Sequence, residues 1–121
     1  MTLLRIREAQ LAALDAAAFD RFVDSVAPLI REQAGPAAAA MDDGELCAAI
    51  GAAMRRAQSY GIAADCDLVA FATLALTISP RFDEHPRFQR LLASPSVEPR
   101  HKIGRLFAAA TAADWDEAAG L

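Results

Sequence analysis

The chain has few aromatic residues, 7 % of its 121 positions, and few of the Val-Ile-Thr runs that build strands, so a sheet is not expected. Positive charge is also in deficit. The formal net charge is −4, with a single lysine, Lys102, among twelve basic residues, which excludes a nucleic-acid partner held by a broad basic face. Cysteine is scarce: Cys47 and Cys66 stand far apart, with no CxxC spacing, and His85 and His101 form no HxxxH pair. A zinc site needs four ligands at typical spacing, so no metal is expected. Gly44 and Gly61 are isolated, and there is no phosphate loop, GxSxG or HExxH. Neither a cofactor nor an enzymatic activity is expected. The longest apolar run, Leu68 to Ser79, falls well short of the roughly 20 residues that cross a bilayer. The opening MTLLRIREAQ lacks a long apolar stretch and a small-residue cleavage site, so the expectation is a cytoplasmic protein with free thiols and no membrane partner.

What is present is alanine and leucine, in a chain that is 55 % hydrophobic. Such a composition favours helices and supplies core material thinner than the percentage suggests. The expected fold is all-α: a compact single-domain bundle of five to six helices over residues 1–121, with 1–5 and 114–121 frayed. Ile6 to Leu14 reads as a short first helix, with Ile6, Ala9 or Gln10, and Leu14 on one side, and Asp15 caps the next. Phe19, Phe22, Val23, Val26, Leu29 and Ile30 recur at helical spacing to about Gln33. Pro28 should kink or split that helix near Asp24. Gly35-Pro36 ends it, and Ala37 to Met41 is a turn or a short helical piece. Asp42 or Asp43 caps a third helix whose stripe is Leu46, Ile50, Met54 or Ala53, and Ala57, ending at Tyr60. Gly61 fits the left-handed position after a helix, with Ile62 folding back on the last turn. Cys66 to Ile78 is apolar almost all round and marks the central helix. Asp83 or His85 caps a short helix from Pro86, with Phe88, Leu91 and Leu92 inward. Pro99 opens the last long helix, with Ile103, Leu106, Phe107 and Ala110 inward.

The residues that could carry chemistry have simpler explanations. The carboxylate pairs Asp42-Asp43 and Asp65-Asp67 sit at helix starts, where caps and the helix dipole account for them. Cys47 with His101, or Cys66 with His85, could form a thiol–base pair only if the fold brought them together; small buried side chains are the expectation for both thiols. Trp115 either folds back onto the bundle or stands exposed as an anchor for a partner. From Arg81 to Arg105 six basic residues stand against three acidic ones, a small local excess that reads first as a solvated helix face and second as a match to an acidic partner surface.

Arg56-Ala57, Tyr60-Gly61-Ile62, Asp67, Leu68, Phe71, Phe82-Asp83, Pro86, Leu92, Pro99, Lys102, Ile103 and Leu106 form an ordered pattern. It resembles small helical accessory proteins encoded in bacterial type VI secretion gene clusters, near spike proteins, adaptor-chaperones and toxic effectors. The likeness covers Leu46 to Phe107, about half the chain. It departs at Ser79-Pro80, where the group often has a glycine turn, and at Arg87-Phe88, where the group is often aromatic-rich. The resemblance implies a non-catalytic interaction module, an accessory or co-chaperone of effector loading, with an adaptor-chaperone, effector or spike protein as partner. It brings no catalytic residue with it. The candidate contacts are Tyr60, Arg81, Phe82, Arg87, Arg90 and Trp115. An immunity protein against a toxin encoded nearby and a small thiol enzyme are the rival readings. Apolar surface left on Phe19, Phe22 or Phe107 could also pair two copies.

Overall fold

The computed structural model describes the backbone of residues 2–121 and the side chains of residues 15–121. Regular structure among the described residues is all helical: α1 (Thr2–Ala34), α2 (Pro36–Ala39), α3 (Asp43–Ser59), α4 (Asp65–Thr77), a 3₁₀ turn (Phe82–Glu84), α5 (Pro86–Leu92), α6 (Pro99–Ala109) and α7 (Ala112–Ala119). The all-α expectation holds, but with seven α-helices where five to six were expected. The count differs because the two expected N-terminal helices are one, while α2 and α7 form as helices of their own. Side chains of residues 1–14, including Ile6, Ala9, Gln10 and Leu14, lie outside the described residues; of the segment 1–5 expected to fray, the backbone from Thr2 belongs to α1.

Helix α1 runs unbroken through Asp15, which caps nothing, and through Pro28. Proline in a helix interior costs about 3 kcal/mol, chiefly by orphaning the carbonyl one turn earlier. Here Pro28 and Asp24 are both exposed, so the proline lies on the solvent side of the helix. Val23, Ala27, Ile30 and Ala34, on the opposite face, are buried and keep both halves docked against α3 and α4. Gly35, at φ 56°, then turns the chain into α2. Arg31 ties this turn down: Nη1 donates to the carbonyls of Ala38 and Met41, each at 3.0 Å, and Nη2 pairs with Asp43 at 3.0 Å.

Asp42 caps α3, accepting the Glu45 N–H at 2.8 Å, and that bond holds its carboxyl below the usual range. The helix ends as its sequence predicts. Gly61 has φ 86°; its N–H donates to Gln58 O at 2.9 Å and the Ile62 N–H to Ala57 O at 3.2 Å, the paired bonds of a Schellman motif. A Cβ on Gly61 would also sit 3.1 Å from Pro99 Cγ, so both conformation and space favour glycine. Helix α4 is central, packing on α1, α2, α3 and α6.

Beyond α4 the 3₁₀ turn, α5, α6 and α7 form a second tier. A row of rings joins the two: Phe71 to Phe82 at 4.9 Å, Phe82 to Phe88 at 6.4 Å and Phe88 to Trp115 at 4.8 Å. The tail expected to fray from Asp114 is instead helix α7, closed by a capping box. Thr111 Oγ1 accepts the Asp114 N–H at 3.2 Å, and Asp114 Oδ2 accepts the Thr111 N–H at 2.9 Å. Phe107, expected inward, is 53 % exposed, because Leu106 beside it takes the core position.

Candidate functional site: a basic-rimmed cleft between α5, α6 and α7

Three groups of polar side chains define the second tier, and two of them are structural. The first joins the tiers. Asp83, 1 % exposed, receives Arg56 Nη2 at 2.5 Å and the Tyr60 hydroxyl at 2.8 Å, while Arg56 Nη1 donates to Pro80 O at 2.6 Å. Burial, then the hydrogen bond to Asp83, pushes the Tyr60 hydroxyl up to about 12. Lys102, 5 % exposed, lies across the same seam, with Nζ donating to Tyr60 O at 2.7 Å and to Leu92 O. These carbonyls sit at the C-terminal ends of α3 and α5, where helix dipoles favour a cation. Arg56, Tyr60, Gly61, Asp83, Pro99 and Lys102, all part of the pattern behind the resemblance, thus meet at one joint.

The second group is His85, Asp114 and Glu117, whose ligand atoms lie within 4.8 Å of one another. Such a trio could hold a metal ion, but its hydrogen bonds argue for a latch. His85 caps α5, with Nδ1 accepting the Arg87 N–H at 3.3 Å. That leaves the proton on Nε2, which donates to Glu117 Oε2 at 2.8 Å, so the lone pair a metal would need points away from the carboxylates. Asp114 is occupied by Thr111 and by Arg87 at 3.3 Å. The trio pins α7 to the start of α5.

The cysteines do not assemble with the histidines. Cys47 is half-buried and its Sγ donates to Asp24 Oδ1 at 3.5 Å. Burial, then the Asp24 contact, pushes its thiol up, the reverse of nucleophile activation. Cys66, expected to be buried, is exposed at the first turn of α4 and donates to Asp67 Oδ1 at 3.9 Å. The buried face of α4 begins at Leu68, two residues on and on the other side of the helix.

The third group is open to a partner. Arg87 and Arg90, both exposed, stand with the buried Asp114 around a cleft of about 340 Å³ floored by Leu91 and Val97 over Phe88 and Leu106. Among the described residues Arg90 has no carboxylate partner. The other candidate contacts fall elsewhere. Phe82 is 0 % exposed and offers no area to a partner; its ring is needed between Phe71 and Phe88. Tyr60 is half-buried and engaged with Asp83. Arg81 is exposed but paired with Glu84, and it does not line the cleft. Trp115 folds back, half-buried, against Phe88 and Phe107, with the Phe107 ring at 5.9 Å. Sequence reasoning missed Val97 as part of the floor, because it stands in a loop between two prolines and follows no helical period.

No helix among the described residues is long and apolar enough to cross a membrane. No protein-family model, curated protein or solved structure matches this chain.

Proposed function

We propose that the chain is a non-catalytic protein–protein interaction module, an accessory or co-chaperone in type VI effector loading that works in the cytoplasm on an adaptor-chaperone, effector or spike protein. The observation that carries the interaction reading is the α5–α6–α7 cleft, an apolar floor rimmed by two exposed arginines. The buried polar side chains are all spent internally: among the described residues no buried side-chain nitrogen or oxygen lacks a hydrogen-bond partner. The secretion role draws on the resemblance between Leu46 and Phe107. A tagged chain pulled down from native lysate, with mass spectrometry of its companions, tests both. Recovery of an adaptor, effector or spike protein supports the reading, and recovery of no specific companion overturns it.

The net charge of −4 favours one second reading, an immunity protein against a basic toxin. Recovery of a single toxin, and rescue of cells from that toxin by co-expression, would select it. The half-exposed Phe107 keeps a second copy among the partners to be tested, by light scattering of the purified chain.

A further inference from the structure

Resting on the reading of the chain as a protein-binding module, we propose that the α5–α6–α7 cleft takes an acidic amphipathic segment of a partner protein. An apolar side chain of Leu or Phe size enters the floor, and a carboxylate one turn away on the same segment pairs with Arg90 and Arg87.

Four features converge on this occupant. The cleft, about 340 Å³, has room for one or two apolar side chains rather than a packed face. Its floor is preformed: the half-buried Leu91 and Val97 present the apolar area, backed by Phe88 and Leu106, which are 3 % and 1 % exposed and locked in the core, so seating a side chain requires little reordering. Its charge is local and net positive: two cations, Arg87 and Arg90, line the cleft against one carboxylate, Asp114, in a chain whose net charge is −4. The net positive rim therefore favours an acidic segment over a basic one. Finally, the rim cations are available. Arg90 has no carboxylate partner among the described residues, and Arg87 meets Asp114 only at 3.3 Å. Asp114 keeps its Thr111 N–H bond at 2.9 Å if Arg87 swings to an incoming carboxylate, and Arg90 can bind that carboxylate with Arg87 left in place. The larger groove between α1 and α3, about 540 Å³, has the opposite bias: two carboxylates, Asp20 and Asp24, line it against one cation, Arg55, which stacks on Phe19 at 3.6 Å.

A random-peptide display selection on the full chain tests this, followed by affinity measurements on the most enriched peptide. Enriched sequences should pair Asp or Glu with Leu, Phe or Met. Binding should weaken with added salt and fall about tenfold in Arg90→Glu, or more modestly in Arg90→Gln. A charge-reversed peptide, Glu→Lys, should recover affinity for Arg90→Glu, and Arg21→Glu on exposed α1 should change nothing. Circular dichroism of each variant confirms that the bundle is intact. Enrichment of basic or uncharged peptides, or affinity indifferent to Arg90→Glu, overturns the proposal. So does dodecanoate displacing the peptide at equal concentration, which would make the cleft a small-molecule site. A partner recovered from lysate equally well by wild type and Arg90→Glu discards this inference and keeps the module reading. Recovery by neither discards the module reading itself.

Discussion

Lys102 is the residue whose role its sequence conceals most. It sits beside Ile103 on a helix of mixed polarity, and a lone lysine in such a place ordinarily reaches solvent. Here its ammonium lies between the C-terminal carbonyls Tyr60 O and Leu92 O. Lys102→Met keeps the volume and removes the donors, leaving two partly buried carbonyls without a partner. Denaturant unfolding should register a loss of about 1–3 kcal/mol. Tyr60 gives a second residue-scale reading, because it is the chain's only tyrosine and its phenolate absorbance reports one site. Titrated, it should ionise near 12 rather than near its ordinary value of 10.0. The raised value means that the stabilising contribution is complete below the unfolded value and is lost as pH rises through about 12. Asp83→Ala, which removes the acceptor, should bring the midpoint down toward the ordinary value. A midpoint near 10.0 in the wild type would place the hydroxyl in water, free of Asp83.

At the scale of the element, local signals predict helix ends better than they predict continuity. The Asp42 cap, the Gly61 corner, the His85–Pro86 start and the Pro99 start are each encoded within a few residues, and each is found in place. The continuity of α1 through Pro28 depends instead on which face the proline occupies, which is decided by packing against α3 and α4. Helix α7 was legible in principle: Thr111 and Asp114 carry the spacing of a capping box. The acidic, alanine-rich run after them concealed that signal, since the docking that holds it comes from His85, Arg87 and Phe88, distant in sequence. The Thr111 N–H, and more weakly the Arg87 guanidinium, hold the Asp114 carboxyl below its usual range against the opposing effect of burial. A depressed carboxylate contributes stability that is present above the ordinary carboxylate value of about 3.9 and is lost as pH falls through the depressed one. Trp115, the only tryptophan, sits on this helix and packs on Phe88. Its emission should therefore shift toward that of solvated indole in acid below the usual Asp range. Asp114→Asn, which keeps an oxygen for the Thr111 N–H but no titrating group, should lose that step. A shift unchanged in this variant would assign acid undocking to another carboxylate.

At the scale of the whole molecule, α1 to α4 form one tier and the segment from Phe82 to Ala119 the other, and Tyr60 is touched from both. Its hydroxyl reaches Asp83 and its carbonyl receives Lys102, so two ties across the seam converge on one residue at the end of α3. This joint explains why composition and periodicity anticipated the helices but not their assembly: the ties link residues 23 and 42 positions apart, and neither follows a helical period. The candidate site was legible to the same degree. Arg87 and Arg90 stood out as charge, whereas the floor beneath them is created only when α5 meets α6. Shared attachment to Tyr60 has a measurable consequence. Substitutions that act through one residue should not be additive, with a coupling of about 0.5–3 kcal/mol, whereas separated sites add to within about 0.5 kcal/mol. Asp83→Ala and Lys102→Met should therefore couple in a double-mutant cycle followed by denaturant unfolding, because either one loosens Tyr60 and leaves less for the second to remove. Thr111→Ala, which loosens the cap of α7, should cost about 1 kcal/mol and add to Lys102→Met without coupling. Additivity of the Asp83 and Lys102 variants would mean that the tiers are held independently at each tie, with Tyr60 a bystander. Coupling confined to that pair would make Tyr60 the point through which the two tiers unfold together.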